Sequence, residues 1–420
     1  MSHQNPLSAR RSFLKKIATG VGVSLLPELT EAAPSLPHWN NDEETYWYAL
    51  RDQFLIEEGW IMLNAANLCP SPRAVSEALH EATRDVDRYV SYQNRDKYAE
   101  MHLTLREKLA QYLNAEVGEI ALTRNTSESN NTIVQGLPLT ADDEVVVWDQ
   151  NHPTNLLAWQ IQAKRIGCTV KVVSTPPNPA SPQELADPFL AAITPRTRLL
   201  GFSHISNVSG VALPTQLLCQ AAREQIVLTL VDGAQSFGFH VINLVEMGCE
   251  FYTGSAHKWL MGPREVGILY ARKELIESLW PHVVGLHYDE KQPDDITRLT
   301  TFGQQDIAKM PAMLETLSFH EQVGKEKIEQ RVMNLTATLK KNIQEHLPQA
   351  NFVTPLSENM SSGVVIIDFP NHDKKDIFEK LYRNHRVACS TKGGLRLSPN
   401  IYNTLEEMDQ VVLAMKEIVG

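Results

Sequence analysis

Cysteine is scarce. The 420-residue chain holds five, Cys69, Cys168, Cys219, Cys249 and Cys389, an odd number with no pair at C-x-x-C spacing. That argues against a disulfide framework or a zinc ribbon and leaves the thiols as apolar fillers. Long hydrophobic runs are missing too. No stretch reaches the roughly 18 consecutive apolar residues of a membrane-spanning helix, so no stable membrane anchor is expected. Positive charge is in deficit, with 39 Lys and Arg against 50 Asp and Glu, net −11. The basic residues form no long stripe, which argues against a nucleic-acid partner, because phosphate contacts need clustered cations. What is present is 43% hydrophobic residues. At roughly 100–200 residues per domain, that suffices for real cores in two or three domains.

The N-terminus has its own pattern. Ser8-Ala9-Arg10-Arg11-Ser12-Phe13-Leu14-Lys15 precedes a mild apolar stretch from Ile17 to Leu26, then Thr30-Glu31-Ala32-Ala33. A basic region, a short apolar region and a small-residue cleavage site make a signal peptide rather than a membrane span. The adjacent arginines resemble a twin-arginine signal. Residues 1–32 are therefore expected to direct the folded protein through the Tat export machinery to the periplasm. A cytoplasmic location is the alternative.

Beyond a leader at 33–59, the chain divides into a large domain at 60–300 and a smaller one at 301–420. Pro70 and Pro72 open a helical stretch predicted to run to about Ala99, and Leu103 to Leu113 has helical spacing. Short apolar runs follow at Ile120–Thr123, Glu144–Trp148, Thr169–Val173, Arg198–Phe202, Ile226–Val231 and Val266–Tyr270. Most are separated by amphipathic stretches such as Asn155–Ile166 and Pro214–Arg223. Continuous apolar strands alternating with helices predict an α/β fold with a largely parallel sheet buried on both faces. From about Ile307 the pattern changes to a long helix over Met313–His346, a strand at Val364–Phe369, a helix, and a final strand and helix, a smaller α+β unit.

In open α/β sheets, ligands bind beyond the carboxyl ends of the strands, and the unusual polar residues fall there. The run at 226–231 ends in Asp232-Gly233-Ala234-Gln235, and Glu250-Phe251-Tyr252-Thr253 in Gly254-Ser255-Ala256-His257-Lys258-Trp259. The run at 120–123 ends in Arg124-Asn125-Thr126-Ser127-Glu128, and that at 198–202 in Ser203-His204, with Asn207 close by. A lysine in a desolvating pocket can attack carbonyl carbon as a free amine. A pyridinium nitrogen needs a carboxylate to stay protonated, and a phosphate needs hydroxyls and N–H groups at a helix N-terminus. This chain offers a candidate for each role.

Asp232-Gly233-Ala234-Gln235 followed by Ser255-x-His257-Lys258 resembles the signature of the class V aminotransferases, fold type I enzymes that use pyridoxal 5′-phosphate (PLP). The resemblance covers essentially the whole chain after the signal. It implies a large domain with a mainly parallel seven-stranded sheet plus a smaller C-terminal domain. By the same resemblance, Lys258 forms the Schiff base with PLP and moves the proton, Asp232 pairs with the pyridine nitrogen, and Gln235 bonds the phenolic oxygen. His152, in His152-Pro153-Thr154-Asn155, stacks over the ring. Thr126, Ser127, Ser255 and His257 form the phosphate cup, and Asn207 contacts substrate and ring. Arg396, in Leu395-Arg396-Leu397-Ser398, clamps a substrate carboxylate, a task its planar fork suits. Helix capping is the alternative role for Thr126. Arg124 and Asn64 are placed on the substrate side, with structural or capping roles as their alternatives. Where many members supply Gly-Thr from a partner subunit to the phosphate cup, this chain has Phe302-Gly303-Gln304-Gln305-Asp306. Gln304 substitutes there, which implies a homodimer.

Desulfurases of this class carry a nucleophilic Cys on a loop before the carboxylate-binding Arg. Here the interval from Cys389 to Arg396 is short, and Cys389 follows Val387-Ala388, which makes it a strand residue. The details are closest to the isopenicillin N epimerase-like branch, which includes twin-arginine-exported periplasmic enzymes that tailor pyoverdine siderophores. The expected activity is an exported PLP-dependent enzyme acting on the amino group of a small-molecule substrate, an amino acid or a peptide-derived metabolite, through a Lys258 Schiff base and a quinonoid. Epimerase, transaminase and lyase outcomes stay open. A cysteine desulfurase or C–S lyase is one alternative; a non-catalytic binding protein on the same fold is another.

Overall fold

Seven of the apolar runs pair into one sheet in a computed structural model that describes residues 36–37, 43–286, 288 and 294–420; the signal-peptide reading falls outside these described residues. The chain order begins with β1 (Ile61–Met62), β2 (Ile120–Thr123), β3 (Glu144–Trp148), β4 (Thr169–Val173), β5 (Thr197–Ser203), β6 (Leu228–Asp232), β7 (Phe251–Ser255) and β8 (Gly267–Ala271). The large sheet has the order β2-β8-β7-β6-β5-β3-β4. Only β8 runs antiparallel to its neighbours; the pairs among β3 to β7 are parallel. Such a sheet must be covered on both faces, and β3 shows how. Val146 and Trp148 enter one core with Leu200, Phe202 and Val231, while Val145 and Val147 enter the other with Leu199 and Leu230. That is the two-residue alternation of a strand between two helical layers.

Register fixes where polar residues emerge. Ser203 pairs with Asp232 and Asp232 with Thr253, so β5 and β6 end level and β7 runs two residues further, to Ser255. Their outgoing loops therefore open on one rim of the sheet, where the motif residues collect.

The C-terminal part contains β9 (Asn351–Phe352), β10 (Val365–Asp368), β11 (Val387–Ala388) and β12 (Leu395–Leu397), with β10 antiparallel to both β9 and β12. Helices Lys325–His346, Lys374–His385 and Leu405–Val419 share a core with these strands through Leu335, Leu339, Ile377, Val411 and Met415. The last helix starts at a capping box of Thr404 and Glu407, which satisfies donors that a helix start leaves free. β1 pairs in parallel with β11, Ile61 against Val387, so the entry strand joins the chain's distant end.

Two helical expectations are corrected. The stretch from Pro72 divides into helices Arg73–Arg88 and Tyr92–Leu113, because Ser91 adopts an extended backbone and caps the second, accepting from the Asn94 N–H at 3.1 Å. The long segment ending at His346 is likewise two helices, Lys309–Val323 and Lys325–His346. Between them Gly324 sits at φ +96°, a conformation that side chains oppose and glycine does not.

Candidate active site

The helix Thr126–Gly136 begins just beyond β2 and presents its N-terminus to the rim. Its cap is Asn125, whose side chain accepts from the Glu128 N–H at 3.0 Å. Thr126 is thereby released from the capping role. Its N–H and hydroxyl both meet Ser255 Oγ, at 2.8 and 2.7 Å, tying the helix start to the end of β7. Ser127 Oγ donates to Thr154 Oγ1 at 3.1 Å. Thr154 Oγ1 in turn lies 2.8 Å from His152 Nδ1, which also accepts from the Thr154 N–H at 3.3 Å. With Nδ1 occupied as an acceptor, the neutral ring carries its proton on Nε2. Burial, and then the positive charge of Lys258, hold His152 below the usual imidazole range, so the ring stays neutral near pH 7.

Asp232 ends β6 almost fully buried, at 3% exposure. One carboxylate oxygen accepts from Asn130 Nδ2 at 2.8 Å and the other from the Ala234 N–H at 3.0 Å. Asn130 is itself oriented by Thr253, which donates to its Oδ1 at 2.9 Å. Gln235 is buried between loops, donating to the Ala66 carbonyl at 2.9 Å and accepting from the Trp259 indole at 2.9 Å. One of its amide hydrogens remains for a ligand.

Lys258 follows β7 in a turn closed by the Met261 N–H on its carbonyl. Burial lowers its ammonium pKa, the charge of Asp232 opposes that fall, and Arg396 adds to it. A desolvated amine with a nearby carboxylate is the environment of a nucleophilic lysine. His257 is held at about 4, by burial first and then by the Lys258 and Arg264 charges. Its Nδ1 is buried with no hydrogen-bond partner.

Arg396 in β12 is 4% exposed. Its Nη1 donates to the Asn207 carbonyl and its Nη2 to Asn64 Oδ1, each at 3.2 Å, while Nε is buried and unpartnered. Burial lowers its pKa to about 10. Asn207 itself is buried, at 9% exposure. Asn64 therefore holds the arginine fork instead of capping a helix.

Two expected residues take other partners. Arg124 has a side chain 61% exposed; it is claimed by an ion pair with Glu128 four residues on and lies over the Phe302 ring, 5.6 Å from its centroid. Gln304 is exposed and accepts from Arg95 at 3.1 Å. Two contributors were missed. Asn130 and Thr154 each touch a motif residue, and the only signal for them was a polar side chain one helical turn or less from a predicted cup or ring residue.

Residues 62–411 match the family model described as aminotransferase class-V. The chain belongs to the class-V aminotransferase family. It is 28% identical over 398 residues, 89% of this chain and 98% of the relative, to an isopenicillin N epimerase from Streptomyces clavuligerus. It is 26% identical over 413 residues to a probable cysteine desulfurase of Xylella fastidiosa, covering 92% of this chain and 97% of that one. In three dimensions it superposes with a TM-score of 0.78 on the apo cysteine desulfurase of Thermococcus onnurineus NA1, at 23% identity, over 88% of this chain and 97% of the other.

Class V enzymes are PLP-dependent, and the residues on this rim fit that cofactor. The hydroxyls of Thr126, Ser127 and Ser255, by giving up their present bonds to one another and to Thr154, and the orphaned His257 Nδ1 would hold a phosphate at the start of an eleven-residue helix, where the helix N-terminus favours an anion. Asp232 supplies the carboxylate for the pyridine nitrogen, His152 the ring face, and Lys258 the amine.

Proposed function

We propose that this class V enzyme is exported, works as a homodimer, and acts on the amino group of an α-amino acid or of an amino-acid unit in a peptide-derived metabolite such as a siderophore side chain, by an epimerase-like or transaminase-type reaction. The carrying observation is a buried cation, Arg396, at the rim that also carries the Lys258 amine. Arg396 is almost wholly buried, yet bonds only neutral oxygens, those of Asn64 and Asn207. A buried charge without a counter-ion costs several kcal/mol, and a substrate carboxylate removes that cost. With the carboxylate on Arg396, the amine of the same substrate would be left free to face the cofactor that Lys258 would hold, with Lys258 as the group that takes up or returns the proton.

PLP, when bound, supplies the electron sink that acidifies the substrate carbon. The protein supplies the rest. Lys258 holds or releases the proton at Nζ, Asp232 keeps the pyridine nitrogen charged, and neutral His152 covers the ring without adding a charge beside it. Arg396 fixes the carboxylate by its planar fork, so the bond to be broken is held in one orientation.

A desulfurase needs a thiolate to take up sulfur, and thiolates need an electropositive, partly exposed setting. All five cysteines are buried, and burial pushes the Cys389 thiol up to about 12. This favours the amino-group reading over the desulfurase. The test is an absorbance titration of the holoenzyme with D- and L-amino acids, followed by chiral and keto-acid analysis of the products. A spectral response with inverted or deaminated product is expected. Sulfide from cysteine, with no response to other amino acids, would overturn the reading.

Export is tested separately. Arg10→Lys with Arg11→Lys is expected to reduce periplasmic recovery at least about tenfold and leave folded, cofactor-loaded protein in the cytoplasm. Unchanged recovery would sink the twin-arginine assignment. The homodimer reading rests on Phe302-Gly303-Gln304 and predicts a particle of twice the chain mass by light scattering.

A further inference from the structure

The segment after β1 runs alongside β12. The Ser398 N–H donates to the Leu63 carbonyl at 2.9 Å, the Ala65 N–H to the Ser398 carbonyl at 3.0 Å, and the Ala66 N–H to Ser398 Oγ at 3.1 Å. In this parallel register Asn64 is the partner of Ser398. Arg396 lies two residues before Ser398, and residues two apart on a strand point to the same face. Asn64 and Arg396 are thus diagonal neighbours on one face, within reach of a long side chain.

That explains why the two meet but not why position 64 is an asparagine. Aspartate has the same shape and would place a full negative charge beside a guanidinium that is 4% exposed. For an arginine already committed to burial, such a partner removes a large electrostatic penalty. The chain instead uses a neutral oxygen. The guanidinium has five N–H donors, and two are engaged, one to Asn64 and one to the Asn207 carbonyl. Those two bonds fix the fork in plane, and the full positive charge and the buried Nε–H stay unspent.

We infer that Asn64 is a positioning residue that aims Arg396 and, by being neutral, reserves its charge for the substrate carboxylate. The inference rests on the amino-group reading above and adds a selectivity to it. The site prefers a free α-carboxylate over a carboxamide or ester because Asn64 does not compete for the arginine. Stability is given up at this position in favour of binding, as at other functional sites.

The experiment compares wild type, Asn64→Asp, Asn64→Ala and Arg396→Gln, each as holoenzyme. L-alanine and L-alaninamide serve as the probes, with binding read by absorbance titration and the melting temperature by calorimetry. Wild type is expected to bind the carboxylate at least about tenfold more tightly than the amide. In Asn64→Asp that preference falls below about threefold while the melting temperature rises by about 2–4 °C, because the new carboxylate neutralises Arg396. Asn64→Ala, which only removes the acceptor, lowers the melting temperature and keeps part of the preference. A purely structural tie would make Asn64→Asp as destabilising as Asn64→Ala, with the preference intact, and that result overturns the inference. Arg396→Gln separates the two readings. If it abolishes the preference and Asn64→Asp does not change it, the role of Asn64 is wrong and the substrate reading stands. If the preference survives Arg396→Gln, the substrate reading falls, and the role of Asn64 with it.

Discussion

Alanine at position 258 is expected to remove the visible cofactor band and to lower kcat by roughly 10⁴–10⁶-fold, the scale seen when a nucleophile that also handles the proton is deleted. The expectation follows from where the amine sits. Lys258 leaves β7 in a tight turn closed by Met261, half-buried beside Asp232, and burial pulls its pKa down while Asp232 resists. A lysine on an open surface would keep its ordinary pKa and be almost fully protonated at neutral pH; this one spends more of its time as the free base. Folding is not expected to suffer, because the variant removes a charge that burial disfavours. The melting temperature of the protein without cofactor should be unchanged or higher, which separates lost chemistry from lost structure. Added methylamine should restore a small part of the turnover by replacing the missing base. A variant that keeps its band and retains more than about a tenth of wild-type turnover would remove Lys258 from the mechanism.

Why this lysine was legible in the sequence, and other features were not, has a physical answer. β3 could be read directly because Val145 to Trp148 bury on both faces, so an unbroken apolar run is the only pattern such a strand can have. Asp232 ends β6 and Lys258 follows β7 by three residues, positions where a polar residue is ordinary by itself; it was the combined motif of Asp232-Gly233-Ala234-Gln235 with Ser255-x-His257-Lys258, and the family it resembles, that marked them. The break at Ser91 is different. Helical periodicity continues on both sides of it, and the interruption depends on one hydroxyl capping Asn94. The pairing of β1 with β11 is set by tertiary packing and leaves no trace in either short segment. Arg124 shows the limit of motif reading. The residue type suited a substrate contact, but Glu128 on the next turn claims the guanidinium by a contact equally visible in the sequence at i,i+4 spacing. Asn130 was missed because a polar residue inside a helix reads as solvent-facing until the docking of that helix is known.

Asn130 also sharpens what Asp232→Asn should do. Thr253 donates to Asn130 Oδ1, so the amide is held with its Nδ2 toward Asp232 and cannot flip without losing that bond. The other Asp232 oxygen faces the Ala234 N–H. Both neighbours are donors, and an asparagine at 232 must turn its own NH₂ group against one of them. The variant thus leaves a buried donor unsatisfied, a penalty of about 1–3 kcal/mol, and removes the negative charge that faces the cofactor site. Part of that falls on stability and part on the reaction, since the pyridine nitrogen is no longer held protonated. The expected result is a fall in kcat of roughly 10²–10⁴-fold with the cofactor still attached, unlike the loss of band in Lys258→Ala. Lys258 should also become a weaker base, because the Asp232 charge holds its pKa up against burial and Arg396. The ascending limb of the pH–rate profile should then move to lower pH. An Asn130→Leu variant should show a milder form of both effects, because it keeps the carboxylate and removes only the donor that orients it. If Asp232→Asn keeps kcat within about threefold and leaves the pH profile in place, the carboxylate serves the β6 turn alone and the electron-sink chemistry must be supported from elsewhere on the rim.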